Sequence, residues 1–232
     1  MGKLLHRLLY RVLSLEGYLR VVSRLFFLAR ALGIGRRGRA LEYNYHLPQL
    51  LRRGDIAIDI GANLGYYTRP IADIVGDEGR VYAVEPVPVI FSVLERNVQG
   101  RKNVSLMNYA LGEQDGTIEM ANDSVAEAGY FGTGRNFISE GKLSGGAIRF
   151  TAQMRRGSEL FAALERVDFI KCDIEGYERV VIPQMRELIE DYDIAGLDRP
   201  TYLDQRPYSM DRSRLIRKLG QLSQYDKGKF HI

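Results

Sequence analysis

The chain reads as an α/β protein with a Rossmann-like, doubly wound, mostly parallel sheet. Three observations predict this. Apolar runs alternate with helical patterns between residues 56 and 109. A glycine turn, Asp59-Ile60-Gly61-Ala62-Asn63-Leu64-Gly65-Tyr66-Tyr67-Thr68, separates the first run from the first helix of the sheet. An acid, Glu85, closes the second run, 24 residues after Gly61.

Taken in order, residues 1–40 form an arm and 41–232 the main domain. The arm holds nine Lys/Arg against one acid, Glu16, a net of +8. The whole chain carries only +4, so the remainder sums to −4. Basicity therefore belongs to the arm, and the mildly acidic body disfavours nucleic-acid binding. Residues 3–32 are amphipathic and interrupted by Arg7, Arg11, Arg20, Arg24 and Arg30, so they lack the long uncharged run of a spanning helix. Gly17, between the two arginine pairs, predicts two short helices or one kinked helix. The arm reads either as a cap on the domain or as a peripheral contact with an anionic membrane surface. A cytoplasmic protein, peripheral to the inner face of a membrane, follows from the second reading. Residues 33–39, rich in glycine and arginine, read as a hinge.

Residues 42–53 predict a helix leading to the first strand, with Tyr43, Tyr45 and His46 either walling a pocket or packing on the sheet. The pattern then gives strands at 56–60, 81–85 and 103–109, with helices at 64–75 and 87–99 between them. Ala110 and Leu111 end the third strand, either as a backbone N–H and an apolar wall for a bound base or as a plain turn. Residues 117–120 alternate as a half-buried strand, paired with another at 147–153. Between them, residues 122–146 contain six glycines and three aromatic residues, Tyr130, Phe131 and Phe137. A stretch so long and aperiodic reads as an acceptor-binding loop. Ser158 caps a helix to Glu165, and residues 167–174 make the fourth core strand. A helix at 179–190, a fifth strand at 199–204 and a last helix at 211–222 complete the domain. Little chain remains for a closing antiparallel hairpin, which predicts a reduced sheet edge or one completed in a homo-oligomer.

The turn has its own chemistry. Glycine lets the backbone pass close to a ligand, and free N–H groups at the helix start face it. Glu85, with Pro86 beside it, is placed to accept from both ribose hydroxyls of a nucleotide-like ligand. A nicotinamide site needs a second glycine where this chain has Asn63, so that reading is the weaker. An acid opening the turn, Asp59, suits a ligand with a cationic end and no phosphate. S-adenosylmethionine, with its amino group and sulfonium, has that character. Cys172 is the single cysteine, so no intrachain disulfide forms; it lies in an apolar strand and reads as a packed thiol. His6, His46 and His231 are too scattered in sequence to predict a histidine metal cluster.

These residues, with Glu85-Pro86 and the run Asp168-Phe169-Ile170-Lys171-Cys172-Asp173-Ile174-Glu175-Gly176-Tyr177-Glu178, resemble the FkbM family of class I methyltransferases over roughly residues 50 to 190. The resemblance implies the class I methyltransferase fold and S-adenosylmethionine as methyl donor. Cofactor contacts then fall to Asp59, Gly61, Asn63, Gly65, Thr68, Glu85, Pro86, Ala110, Leu111 and Asp173. It further implies O-methylation of a hydroxyl on a sugar, glycan or other secondary metabolite. Asp173 is the first candidate for the base and Glu175 the second. Asp173 is equally a candidate to hold a divalent metal whose other ligands the sequence does not reveal. The alternatives for residues 173–178 are a solvated acidic turn or, for the whole chain, a cofactor-binding partner subunit without catalysis. Relatives often carry a glutamate where this chain has Asp204 or Gln205, a departure from the family's pattern, so no role is assigned to an acid there.

Overall fold

The computed structural model describes residues 2–34, 42–139, 146–174, 177–185 and 201–203. The first sheet has the order β3-β2-β1-β8-β9 and is parallel throughout. Its strands are β1 (Ile56–Ile60), β2 (Arg80–Val84), β3 (Val104–Met107), β8 (Phe169–Cys172) and β9 (Thr201–Leu203). The strand order steps outward from β1 in both directions, so the C-terminal ends of β1 and β8 flank the topological switch point where such sheets bind ligands.

Strand alternation sends neighbouring side chains to opposite faces. Ala57 of β1 and Phe169 of β8 join Ile71 and Val75 of α4 (Thr68–Val75), together with Leu47 of α3 (Glu42–Leu50). Ile58, Ile60, Ile170 and Cys172 face the other way, against Leu111, Phe161 and Val181. Val181 belongs to α8 (Glu178–Gln184). Both faces of the sheet are thus covered, which is why the strands read as continuous apolar runs. Truncating Phe169, which is fully buried, costs about 3–5 kcal/mol.

A second sheet, in the order β4-β7-β5-β6, lies beside the first. Its members are β4 (Ala110–Gly112), β5 (Gly116–Asn122), β6 (Asn136–Ile138) and β7 (Ile148–Arg156). The pairing expected between residues 117–120 and 147–153 is present and antiparallel. The third cluster joins Met120 and Ala152 of this sheet to Ile90 of α5 (Pro88–Val98) and to Tyr18 and Leu19 of the arm.

Several boundaries differ from the sequence reading, each for a local reason. The arm is two helices, α1 (Lys3–Val12) and α2 (Leu15–Ala31), but the break is at Ser14 and not at Gly17. Ser14 is an N-cap whose hydroxyl accepts from the Gly17 N–H, so Gly17 sits inside the first turn of α2. Helix α4 starts at Thr68, not at 64. Side chains take the carbonyls just before it: Asn97 Nδ2 donates to Leu64 O (2.8 Å) and Asn44 Nδ2 to Tyr66 O (2.7 Å). Strand three stops at Met107, and Ala110–Leu111 belong to the second sheet, paired with Met154 and Arg155 of β7. Asn108 makes the turn between them, its Nδ2 donating to the carbonyls of Glu85 and Pro86. The glycine-rich segment is not structureless: it contains α6 (Ser124–Ala128) and β6. Ser158 is not a cap, because β7 runs on to Arg156, the residue that caps α7 (Gly157–Leu160). Helix α3 ends at Leu50, short of Arg53. The proposed hinge from 35 onward, Glu175, Asp204, Gln205 and the helix at 211–222 lie outside the described residues.

Candidate active site

Three strand ends meet at the turn after β1. The N–H groups of Gly61 and Ala62 both donate to Val84 O, at 3.0 and 2.9 Å, which docks the turn on the end of β2. On the other side, Asp173 N donates to Ile60 O (3.1 Å), docking it on the end of β8. Gly61 has φ 72° and lies so close to Asp173 that a Cβ there would collide with the Asp173 carbonyl oxygen. Only glycine meets both demands. Asn63 is the single non-glycine residue with positive φ among the described residues, at 54°. Its side chain supports this conformation by accepting from Leu64 N at 2.8 Å. Gly65, at φ 82°, closes the turn over Leu94 of α5.

Glu85 is 4% exposed, and both its oxygens are held from below. Oε2 accepts from Asn63 N (2.9 Å) and Oε1 from Val87 N (3.0 Å). Burial pushes its carboxyl up to about 7, against the pull of those two N–H groups and of the Lys171 ammonium. Asp59 is fully buried; its Oδ2 accepts from Thr68 Oγ1 at 2.6 Å. Its Oδ1 has no hydrogen bond of its own and faces Lys171 Nζ at 3.1 Å. Asp173 follows β8 directly and is partly exposed. Asn63 Nδ2 reaches across to Thr133 O (3.3 Å), which brings the glycine-rich segment to the rim of the turn.

The expected residues therefore separate into groups. Asp59, Gly61, Asn63, Gly65, Thr68, Glu85 and Asp173 converge on the ends of β1, β2 and β8. Pro86 adjoins through Asn108. Ala110 and Leu111 are buried in β4, and Leu111 packs against the sheet face that carries Ile58 and Ile60. Tyr45 faces the arm instead, its hydroxyl donating toward Arg30 O and Ile34 O. Cys172 is buried, and burial pushes its thiol well up, as a packed thiol requires. Among the described residues no three His, Cys, Asp or Glu side chains gather as a metal site. An open polar cleft lined by Gly54, Asp77, Arg80 and Arg166 lies at the amino ends of β1 and β2, at the opposite edge of the sheet.

Lys171 is the residue that sequence reasoning passed over. It is 2% exposed, in register with Asp59, and donates to Gly61 O (2.6 Å) and Ile60 O (3.3 Å). A signal for it existed: a lysine inside an apolar strand whose neighbour strand also carries a buried acid.

This donor set fits an adenosine ligand with a cationic end. Glu85 presents a carboxylate of the kind that ribose hydroxyls bond to, and Asp59, paired with Lys171, adds a second buried acid beside the turn. Paired phosphates beside two buried carboxylates would be repelled.

A family profile described as the methyltransferase FkbM domain matches residues 59–202, more than half of the 232-residue chain. Two curated relatives, the protein-L-isoaspartate O-methyltransferases of Ignicoccus hospitalis and Methanothrix thermoacetophila, are 34% and 36% identical over 59 residues. That stretch is 25% of this chain, and the chain spans only 28% of the length of either relative. Among solved structures, the chain is similar to an S-adenosylmethionine-dependent O-methyltransferase from Thermotoga maritima, with a TM-score of 0.40 and 15% identity. The likeness covers 81% of this chain and 49% of that one.

Proposed function

The chain belongs to the FkbM methyltransferase family, and from that premise we propose that it transfers a methyl group from S-adenosylmethionine to a hydroxyl of a sugar, glycan or other secondary metabolite. The observation that carries the reading is the pair of buried carboxylates, Asp59 and Glu85, at the two strand ends that frame the turn. When bound, S-adenosylmethionine supplies a methyl already activated by the sulfonium charge. The chain's own task is then to hold the acceptor in line, an alignment that lowers a barrier by roughly 7–11 kcal/mol. In this reading Asp173, which follows β8 and is partly exposed, takes the proton of the acceptor hydroxyl, with Glu175 two residues on as the second candidate. The segment carrying Thr133 borders the site and supplies the acceptor side.

The arm, residues 1–40, serves in this reading as a peripheral contact with the inner face of a membrane, in the cytoplasm. Its inner face packs on the domain through the buried Tyr18 and Leu19. Its outer face carries Leu4, Leu5, Leu8, Val12, Leu25, Leu28, Leu32 and Ile34, every strongly exposed large hydrophobic among the described residues except Phe137. Together with a net charge of +8, this suits an anionic surface. No described helix is long and apolar enough to cross a membrane.

Labelled methyl transfer into fractionated cell extract tests the activity. The expected outcome is label in a glycan, lipid-linked sugar or small-metabolite fraction. Asp173→Asn should keep S-adenosylhomocysteine binding roughly intact and slow transfer by about 10²–10⁴-fold; unchanged turnover removes Asp173 from the chemistry. Binding without transfer to any fraction would favour the non-catalytic partner subunit. Flotation with anionic vesicles tests the arm, and a protein that stays in the unbound fraction at low salt argues against the membrane contact.

A further inference from the structure

We propose that Lys171 is a positioning residue of the cofactor site, acting through Gly61, Asp59 and Glu85; this rests on the S-adenosylmethionine reading above. The argument begins with what the fold does not require. An ion pair buried in a sheet is usually no more stabilising than apolar residues of similar size. Phe169, Ile170 and Cys172 show that β8 is otherwise built from such residues. A lysine at the third position therefore calls for a use of its charge.

Its contacts specify that use. The ammonium has three N–H directions, and three oxygens surround it: Gly61 O at 2.6 Å, Asp59 Oδ1 at 3.1 Å and Ile60 O at 3.3 Å. All three belong to the end of β1 and its turn. The Tyr67 ring lies 5.5 Å from the same nitrogen, at the residue before α4. Asp59 extends the chain of contacts to the start of α4 through Thr68. Lys171 thus pins, from beneath, a turn whose upper surface receives the cofactor. It does so from the strand that delivers Asp173 two residues later.

The second effect is electrostatic. Two charged groups act on Glu85 from the neighbouring strands, Asp59 of β1 and Lys171 of β8. They oppose each other: Asp59 disfavours the Glu85 carboxylate and Lys171 favours it. The remaining partners of that carboxylate, Asn63 N and Val87 N, are neutral. Ribose hydroxyls need the carboxylate as acceptor, so Lys171 favours the form of Glu85 that binds them and Asp59 disfavours it, while burial pushes the carboxyl up more than either acts on it.

The test is calorimetric titration of S-adenosylhomocysteine into the full chain across about pH 5.5 to 9. Wild-type affinity should fall on acidification as Glu85 takes up its proton. Lys171→Met should move the midpoint of that fall to higher pH and weaken binding at neutral pH by about tenfold or more. Asp59→Asn should move it to lower pH. Opposite displacements are a result that general damage to the sheet would not produce. Midpoints coinciding with wild type in both variants overturn the inference. Should Lys171→Met fail to fold, Asp59→Asn decides alone, and no downward displacement overturns it. A wild-type protein that binds no S-adenosylhomocysteine overturns the cofactor reading, and this inference falls with it.

Discussion

Around the β1 turn, charge is buried and fixed: Asp59, Lys171 and Glu85 are 0%, 2% and 4% exposed, each held by backbone groups or by one another. Across the rim, the surface of the second sheet and of the segment before β6 carries ion pairs in solvent. Arg135 pairs with Asp123 and Glu127, Arg149 with Glu119, and Arg155 with Asp115. Buried charges keep one geometry because breaking any contact leaves an uncompensated group in a low dielectric. Exposed pairs can be remade at little cost. The turn is therefore preorganised for a ligand that never varies. The surface of the opposite wall can change with little effect on the fold, which suits the acceptor side proposed above.

Four substitutions sharpen that contrast. The largest effect is expected of Gly61→Ala. It needs a positive φ and drives a methyl into the Asp173 carbonyl, so it should cost about 3–5 kcal/mol and abolish cofactor binding. Chemical denaturation checks the first and calorimetry the second. Glu85→Gln comes next. In the wild type the folded carboxyl, raised from 4.5 to about 7, binds protons more tightly than the unfolded one. Stability should then be greatest below about pH 4.5 from this group, and decline by roughly 3 kcal/mol as pH rises through about 7. The glutamine variant should lose that slope and about a hundredfold of ligand affinity; urea melts at a series of pH values would show it. Tyr18→Phe is smaller. The hydroxyl donates to Phe131 O (3.1 Å) and meets His6 Nδ1 (2.7 Å), so its loss leaves a buried carbonyl unpaired and should cost about 1–2 kcal/mol. Arg149→Ala should fall within about 0.5 kcal/mol of wild type. An effect as large as that of Tyr18→Phe would erase the distinction between the two walls.

The parallel sheet and its turn were legible because their determinants are local. A buried strand needs a short apolar run, a left-handed turn needs glycine, and Glu85 sits where β2 must end. What escaped depends on groups far apart in sequence. Asn97 and Asn44 delay α4 from 33 and 22 residues away, and neither is marked as a helix stop. Nothing between Met107 and Ala110 announces a change of sheet, since Asn108 acts by reaching back to Glu85 and Pro86. The break in the arm was misplaced because glycine was read as the weak point. The capping serine three residues earlier is the stronger determinant. In the sequence Lys171 stands among apolar neighbours, and its meaning appears only when Asp59 is found opposite it. The arm reads in the sequence as a cap on the domain, but its partners do not: Arg7 Nε donates to Ala128 O and the His6 ring stacks on Tyr130, more than a hundred residues on.

One feature of the sheet offers a practical instrument. Cys172 is the sole thiol in the chain, 1% exposed, between the central strands and α8, with its ionisation suppressed by its surroundings. An alkylating reagent can reach it only when the layer of Leu111, Phe161 and Val181 lifts from the face of the sheet. The rate of modification is thus a native clock for opening of the layer that covers β1 and β8. Slowing of that clock by an added compound would report occupancy of the cleft, with no acceptor known and no label attached.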